Sequence, residues 1–286
     1  MTMEFIKSIF LGIVKSIYAN PIEYIKSIFL GIVEGITEWL PVSSTGHLIL
    51  FNEFLKNEGS FLASDLYIYV IQLGAILAVV THFFHKLNPF SPKKTEVEKK
   101  DTWSMWFKVI VACIPAAVIG LLLNDYMEHF KNWQVVSATL VIYGIAFIII
   151  EKLNKKTIIT SMNDMSYKTA ILIGMFQVLS IIPGTSRSGS TILGGMILGT
   201  SREIAAEFSF FLAIPVMFGV SILKIITFKG AKDWGLLAVG MVVSYIVSML
   251  AIKFLMNYVR KHSFSAFGWY RIILAAFVVG YFTLIG

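Results

Sequence analysis

Long apolar stretches alternate with short polar segments along most of this chain. A helix needs about 20 largely apolar residues to cross a bilayer, and six stretches qualify. These stretches are 66–84, 105–123, 135–150, 205–227, 235–255 and 272–285. The pattern therefore predicts an all-α integral membrane protein with six transmembrane helices.

Two further apolar regions, 22–55 and 169–198, are interrupted near their centres by polar turns. The first turn reads Pro41-Val-Ser-Ser-Thr-Gly-His47 and the second reads Pro183-Gly-Thr-Ser-Arg-Ser-Gly-Ser-Thr191. Non-helical backbone survives at membrane depth only where it is buried in protein or lines a wet cavity. Both regions are therefore predicted to be re-entrant, broken helix hairpins.

The two interrupted regions resemble each other. Gly31 is followed by Pro41 and Ser44, whereas Gly174 is followed by Pro183 and Ser186, so this alignment needs a one-residue shift. Three predicted helices separate the hairpins, and an odd number makes them enter from opposite faces. We therefore expect an inverted-topology repeat within one membrane domain, 22–286, with halves at about 22–151 and 169–286. Such repeats bind their substrate between the two broken elements, near the bilayer midplane.

Basic residues are concentrated in three of the predicted loops, 85–104, 151–168 and 257–271, the last of which includes Arg271. The positive-inside rule places these lysine-rich loops in the cytoplasm, and both termini then lie outside. The net charge of +7 is better explained by this topology than by nucleic-acid binding.

The amino-terminal segment 1–21 precedes the membrane domain. Residues 6–14 recur without change as residues 25–33, but Lys15 follows the first copy and Glu34 follows the second. Because the first copy is too short to span a membrane, we interpret it as a local duplication that forms an interfacial helix. A signal peptide fits less well, since the segment carries no strong basic start.

Composition makes three charged residues stand out. The chain is 57% apolar and 14% charged, against about 25% charged for a soluble domain, and its single Cys113 excludes an intramolecular disulfide framework. A charged side chain at the bilayer centre costs roughly 2.5–3.5 kcal/mol on the insertion scale. Glu34, Glu38 and Arg187 nevertheless fall in the interrupted regions, which favours a functional role.

The second turn has the composition of a phosphate-binding loop. Glycines such as Gly184 let backbone N–H groups approach an anion, and Arg187 offers planar donors suited to phosphate. A helix-packing seam of small residues is the alternative, but it does not explain Arg187. We expect substrate contacts from the polar and glycine residues in and near both turns. They are Ser43, Thr45, Gln177, Gly184, Ser186, Ser188 and Thr191.

The first turn places Ser43, Ser44 and Thr45 just before His47, and Glu34 and Glu38 lie one helical turn apart. Serine, histidine and carboxylate together can form a nucleophilic site. A diphosphate beside two glutamates would be repelled unless a divalent cation bridged them. Mg²⁺ or Ca²⁺, held by Glu34 and Glu38, fits these oxygen ligands.

Four segments resemble the bacterial undecaprenyl-diphosphatase, or bacitracin-resistance, family. The longest is Glu34-Gly-Ile-Thr-Glu38-Trp-Leu-Pro-Val-Ser-Ser-Thr-Gly-His47, and the second is the turn from Pro183 to Thr191. The runs Gln72-Leu-Gly-Ala-Ile-Leu-Ala-Val-Val80 and Glu207-Phe-Ser-Phe-Phe-Leu-Ala-Ile-Pro215 are also similar to it. The resemblance covers about residue 22 to the carboxyl terminus, so segment 1–21 departs from the family pattern.

The resemblance implies an enzyme of the bacterial inner membrane that hydrolyses undecaprenyl diphosphate to undecaprenyl phosphate and inorganic phosphate. Such an enzyme recycles the carrier lipid for peptidoglycan synthesis and confers bacitracin resistance. It also implies six spanning helices, two re-entrant regions, an outward-opening site and possible homodimers.

Carried onto this chain, the resemblance makes Glu34 and Glu38 the paired acids, Ser44 the nucleophile and His47 its partner. It assigns diphosphate binding to Ser186, Arg187 and Thr191. Two mechanisms remain open, since either Ser44 or a water held by Glu38 could attack phosphorus. A transporter or lipid flippase is the alternative function, because inverted repeats with broken helices are common there too.

Overall fold

A computed structural model describes residues 18–57, 59–128, 130, 132–153 and 156–284. The interfacial helix expected in segment 1–21 lies almost entirely outside these described residues. The described chain is all-α. Its helices are α1 Pro21–Thr37, α2 Ser44–Phe54, α3 Asp65–His82, α4 Phe84–Leu87, α5 Glu96–Glu128, α6 Trp133–Lys152, α7 Tyr167–Val178, α8 Arg187–Ile197, α9 Arg202–Thr227, α10 Trp234–Val259 and α11 Ser265–Leu284.

Six of these helices, α3, α5, α6, α9, α10 and α11, are long and apolar enough to cross a membrane. This confirms the six predicted spans, although two of the helices begin well before the predicted stretches. The helix α5 begins at Glu96 and α11 begins at Ser265, because helical structure continues past the apolar stretch. Arg271 therefore lies inside α11 and is fully buried. Its assignment to a cytoplasmic loop was wrong.

The two interrupted regions each form a pair of short helices joined by a turn. α1 and α2 have 17 and 11 residues, which at about 1.5 Å per residue is roughly 26 and 17 Å. α7 and α8 have 12 and 11 residues. Individually these helices are shorter than the roughly 30 Å core of a bilayer. Their re-entry from opposite faces stays a prediction.

The two turns share one local conformation. Ser43 and Ser186 have positive φ angles of 75° and 72°, and each precedes the first residue of the second helix of its hairpin. Their hydroxyls accept hydrogen bonds from the N–H groups of Gly46 and Gly189, respectively, which caps α2 and α8.

This correspondence corrects the alignment, since Ser186 matches Ser43 rather than Ser44. The same interval then pairs Gly31 with Gly174 and Glu34 with Gln177, and no one-residue shift is needed. The second hairpin thus has a neutral amide where the first has a carboxylate.

Each hairpin packs against a long helix from the other half of the chain. α1 lies against α10, α7 lies against α5, and α6 lies against α11. Glycines permit the close approach: a Cβ at Gly31 would lie 2.8 Å from the carbonyl oxygen of Gly240, and one at Gly174 would collide with the backbone of Ala112. This exchange holds both hairpin tips in the interior, where they meet.

Candidate functional site

The tips of the two hairpins are joined by an ion pair and a hydrogen bond. Arg187 Nη2 lies 2.7 Å from Glu38 Oε1, and Ser188 Oγ donates to the carbonyl oxygen of Glu38 at 3.1 Å. Glu38 and Ser188 are buried and Arg187 is nearly so. The turns predicted to form one site are therefore in direct contact.

Glu38 links a hydroxyl to this guanidinium. Ser44 Oγ donates to Glu38 Oε2 at 2.8 Å, while Glu38 Oε1 receives Arg187. A carboxylate so placed can take the serine proton when the serine oxygen attacks an electrophile. The buried run of Ser44, Glu38 and Arg187 therefore has the parts needed for nucleophilic attack on phosphorus.

Arg187 is held by both hairpins and by α9. Its Nη1 donates to the carbonyl oxygen of Ser209 at 2.8 Å, and its guanidinium lies over the Trp39 ring, 5.7 Å from the centroid. Thr191 Oγ1 lies 2.7 Å from Ser209 Oγ, which orders the same wall. Of the three guanidinium nitrogens of Arg187, Nε alone has no hydrogen-bond partner in the described part of the chain.

Glu34 lies one turn before Glu38 and is completely buried. The N–H group of Glu38 donates to the Glu34 carbonyl oxygen at 3.0 Å, so helical geometry continues to Glu38 and puts both side chains on one face. Neither carboxylate oxygen of Glu34 has a hydrogen-bond partner among the described residues. A buried carboxylate left in this way needs a counter-charge or a bound proton.

A divalent cation is a chemically suitable counter-charge for Glu34. Carboxylate oxygens suit Mg²⁺ and Ca²⁺, and Mg²⁺ commonly binds through one or two carboxylates plus substrate phosphates. No cluster of three or more His, Cys, Asp or Glu side chains that could hold a metal occurs in the described residues. Glu34 and Glu38 therefore fit a cation only if phosphate oxygens or water complete its coordination.

His47 does not bond to Ser44 in this structure. Its Nδ1 lies 2.7 Å from the Ser43 carbonyl oxygen, which can only accept, so Nδ1 carries the proton. Its Nε2 then accepts from the Tyr270 hydroxyl at 2.7 Å. The hydroxyl of Ser44 instead points to Glu38. Of His47 and Glu38, the observed geometry therefore favours Glu38 as the proton acceptor for Ser44.

The other predicted substrate contacts divide into two groups. The Ser186 and Ser188 hydroxyls are 3.1 Å apart, and the Gly184 carbonyl oxygen accepts from Arg271, so these residues belong to the junction of the tips. Thr45 is exposed, and Gln177 is buried without a hydrogen-bond partner in the described chain. No recorded contact joins either of them to the Glu38–Arg187 pair.

Three residues at the site were missed by sequence reasoning. Ser209 lies within the run from Glu207 to Pro215 that carried the family resemblance, but α9 places it beside Arg187 only through packing. Tyr270 and Arg271 precede the last apolar stretch, where charge counting treats an arginine as a loop residue. Nothing local in the sequence showed that this pair contacts two turns more than 80 residues away.

Comparisons with known proteins show the family to which the chain belongs. The family model described as bacitracin resistance protein BacA matches residues 27–277. A protein of Enterococcus faecalis named undecaprenyl-diphosphatase is 58% identical over 257 residues, covering 87% of this chain and 93% of that protein. One of Limosilactobacillus fermentum with the same name is 55% identical over 292 residues and 99% of both chains. This chain therefore belongs to the bacitracin resistance protein BacA family.

Proposed function

We propose that this protein hydrolyses undecaprenyl diphosphate in a bacterial cell membrane, yielding undecaprenyl phosphate and inorganic phosphate. The observation that carries the proposal is the buried contact of Ser44 with Glu38 and of Glu38 with Arg187 at the meeting point of the hairpins. The printed names of relatives that are 55–58% identical support the same substrate.

Substrate binding would begin at Arg187. In this structure its two terminal nitrogens are engaged by Glu38 and Ser209. An arriving phosphate competes for these donors, because guanidinium groups bind phosphate oxygens in pairs. As Arg187 turns to the phosphate, Glu38 loses its counter-ion and becomes a better proton acceptor for Ser44. Anion binding and activation of the hydroxyl are thereby coupled.

The first chemical step is attack by Ser44. Its oxygen bonds to the terminal phosphorus while the bond from that phosphorus to the bridging oxygen breaks, and undecaprenyl phosphate leaves with that electron pair. Glu38 takes the serine proton, and Arg187 stabilises the negative charge of the transition state. Water then attacks the phosphoserine, Glu38 returns the proton to Ser44, and inorganic phosphate departs with the protons of the water. Direct attack by a water held by Glu38 is the competing route.

Glu34 and Glu38 would hold the divalent cation. When bound, Mg²⁺ or Ca²⁺ supplies charge neutralisation and Lewis acidity to the phosphate oxygens. Both carboxylate oxygens of Glu34 lack hydrogen-bond partners in the part of the chain that the structure describes, whereas Glu38 is shared with Ser44 and Arg187. Glu34 is thus the principal metal ligand of the pair, and Glu38 acts mainly on the proton.

In the cell this activity would regenerate the monophosphate carrier lipid used in peptidoglycan synthesis. We expect the same reaction to confer bacitracin resistance. The family description, bacitracin resistance protein, supports this expectation. We place the site opening toward the outer face, with the lysine-rich loops in the cytoplasm.

Phosphate release from undecaprenyl diphosphate by detergent-purified protein, with Mg²⁺ or Ca²⁺ present, tests the proposal. We expect Glu38→Gln to lower kcat/KM by about 100-fold or more, the usual scale for a general base. Glu203→Gln is the matched control, because its carboxylate pairs with Arg260 in a salt bridge that involves neither hairpin; it should retain wild-type turnover.

The same preparation separates the open alternatives. Trapping a phosphate on Ser44 supports the covalent route, whereas full activity in Ser44→Ala leaves only direct attack by water. If wild-type protein releases no phosphate yet moves the lipid across proteoliposomes, the enzyme proposal is wrong and a flippase takes its place.

A further inference from the structure

The helix α11 reaches the point where the hairpin tips meet. Arg271 Nη1 donates to the Pro41 carbonyl oxygen at 3.1 Å, and Nη2 donates to the carbonyl oxygens of Gly184 and Thr185 at 2.9 and 2.8 Å. Pro41 belongs to the first turn, and Gly184 and Thr185 belong to the second. One side chain from the last helix therefore ties both turns together.

Arg271 carries an uncompensated charge at this junction. It is fully buried, yet no carboxylate pairs with it among the described residues, and its guanidinium lies 5.3 Å from the centroid of the Tyr143 ring. Backbone carbonyls accept from its two terminal nitrogens without neutralising the charge, and its Nε has no hydrogen-bond partner among the described residues. Burying a charge without an opposite partner is costly. A side chain whose role was only to join the two turns would therefore be more stable as a neutral hydrogen-bond donor.

The neighbouring side chain reaches a residue of the first tip. The Tyr270 hydroxyl lies 2.7 Å from His47 Nε2, and the two rings are nearly parallel, at 8°. Because Nδ1 of His47 is held by the Ser43 carbonyl oxygen, Tyr270 completes the fixing of the imidazole. Consecutive residues of α11 thus contact His47 and both turns.

We infer that Tyr270 and Arg271 form a third wall of the diphosphate site. Arg271 is a positioning residue that sets the distance between the two turns, and it adds a second positive charge to that of Arg187. A diphosphate carries more negative charge than one guanidinium can balance, so a second arginine at the junction of the turns suits it. Tyr270 is the positioning residue for His47. The inference rests on the proposed phosphatase function and extends it to α11.

Steady-state hydrolysis of undecaprenyl diphosphate by Arg271→Gln and Arg271→Lys, with thermal unfolding of each variant, tests this inference. We expect Arg271→Gln to lower kcat/KM by about 100-fold, with a rise in KM as well as a fall in kcat, because both charge and alignment are lost. Arg271→Lys should bring KM back toward the wild-type value, because the positive charge is restored. It should restore little of kcat, because a lysine cannot donate to the carbonyl oxygens of Pro41, Gly184 and Thr185 in the same geometry.

Arg202→Gln is the matched control. Arg202 makes a two-point contact with Glu151 away from the tips, so its loss should lower the melting temperature and leave KM and kcat near wild type. This control separates the loss of a structural arginine from the loss of a positioning one.

Tyr270→Phe keeps the test valid if Arg271→Gln does not fold, because Tyr270 is half-exposed and the change removes only a hydroxyl. We expect a roughly tenfold fall in kcat with KM near wild type. If Arg271→Lys and Tyr270→Phe both keep the wild-type kcat and KM, the inference about α11 is wrong and the proposed phosphatase function still stands. A wild-type protein that releases no phosphate overturns the proposed function first.

Discussion

At the scale of single residues, Glu34 is expected to lower the stability of the protein while it supports activation by a divalent cation. Its carboxylate is fully buried with no hydrogen-bond partner in the described chain, and charges at bilayer depth cost roughly 2.5–3.5 kcal/mol. We therefore expect Glu34→Gln to raise stability by about 1 kcal/mol in metal-free protein while it weakens Mg²⁺ or Ca²⁺ activation by about tenfold or more. Thermal unfolding and the cation concentration for half-maximal phosphate release measure the two effects.

The corresponding position of the second hairpin provides the control. Gln177 is also buried and without a partner in the described residues, so Gln177→Glu adds a carboxylate in a matching environment far from Glu38 in sequence. It should lower stability without strengthening cation activation. If Glu34→Gln instead loses stability in metal-free protein and keeps its cation response, Glu34 is a structural residue.

A charged residue of the site could be predicted from the sequence only where charges are rare among its sequence neighbours. Glu34, Glu38 and Arg187 could be singled out because they interrupt apolar sequence beside polar turns. Arg271 could not, because it adjoins a loop where arginines are common; only the packing of α11 on α6 brings it to both turns. The role of His47 was similarly undetermined, since its partner Tyr270 is 223 residues away.

At the scale of helices, close backbone contact positions the second hairpin. A Cβ added at Gly174 would collide with the backbone of Ala112 on α5, and backbone cannot yield as a flexible side chain can. We expect Gly174→Ala to destabilise the protein by about 1–3 kcal/mol and to lower kcat, because a shift of α7 would also move α8, which begins at Arg187, away from Glu38. Thermal unfolding measures the loss of stability, and phosphate release per folded protein measures the fall in kcat.

Gly219→Ala in α9 is the matched control, because among the described residues nothing beyond its own helix lies within 4 Å of the added Cβ. Helix propensity alone should make this change neutral or stabilising, by up to about 1 kcal/mol. Equal melting temperatures for Gly174→Ala and Gly219→Ala would show that the contact between α7 and α5 is loose.

Helix existence was predictable from the sequence, but helix ends and pairings were not. The six apolar stretches are all helices, because twenty apolar residues have few other stable forms in a membrane. The early starts of α5 and α11 escaped prediction, since polar residues continue a helix as readily as apolar ones. The exchange that places α1 on α10 and α7 on α5 depends on contacts between distant segments.

At the scale of the whole molecule, the distribution of lysines predicts its orientation. Lys93 lies in a lysine-rich segment and Lys229 lies in a poorer one, and both are exposed. The positive-inside rule puts Lys93 in the cytoplasm and Lys229 outside. In a Cys113→Ala background, a membrane-impermeant maleimide added to intact cells should label Lys229→Cys and leave Lys93→Cys unlabelled until the cells are opened. The reverse pattern would invert the molecule and open the diphosphate site to the cytoplasm instead.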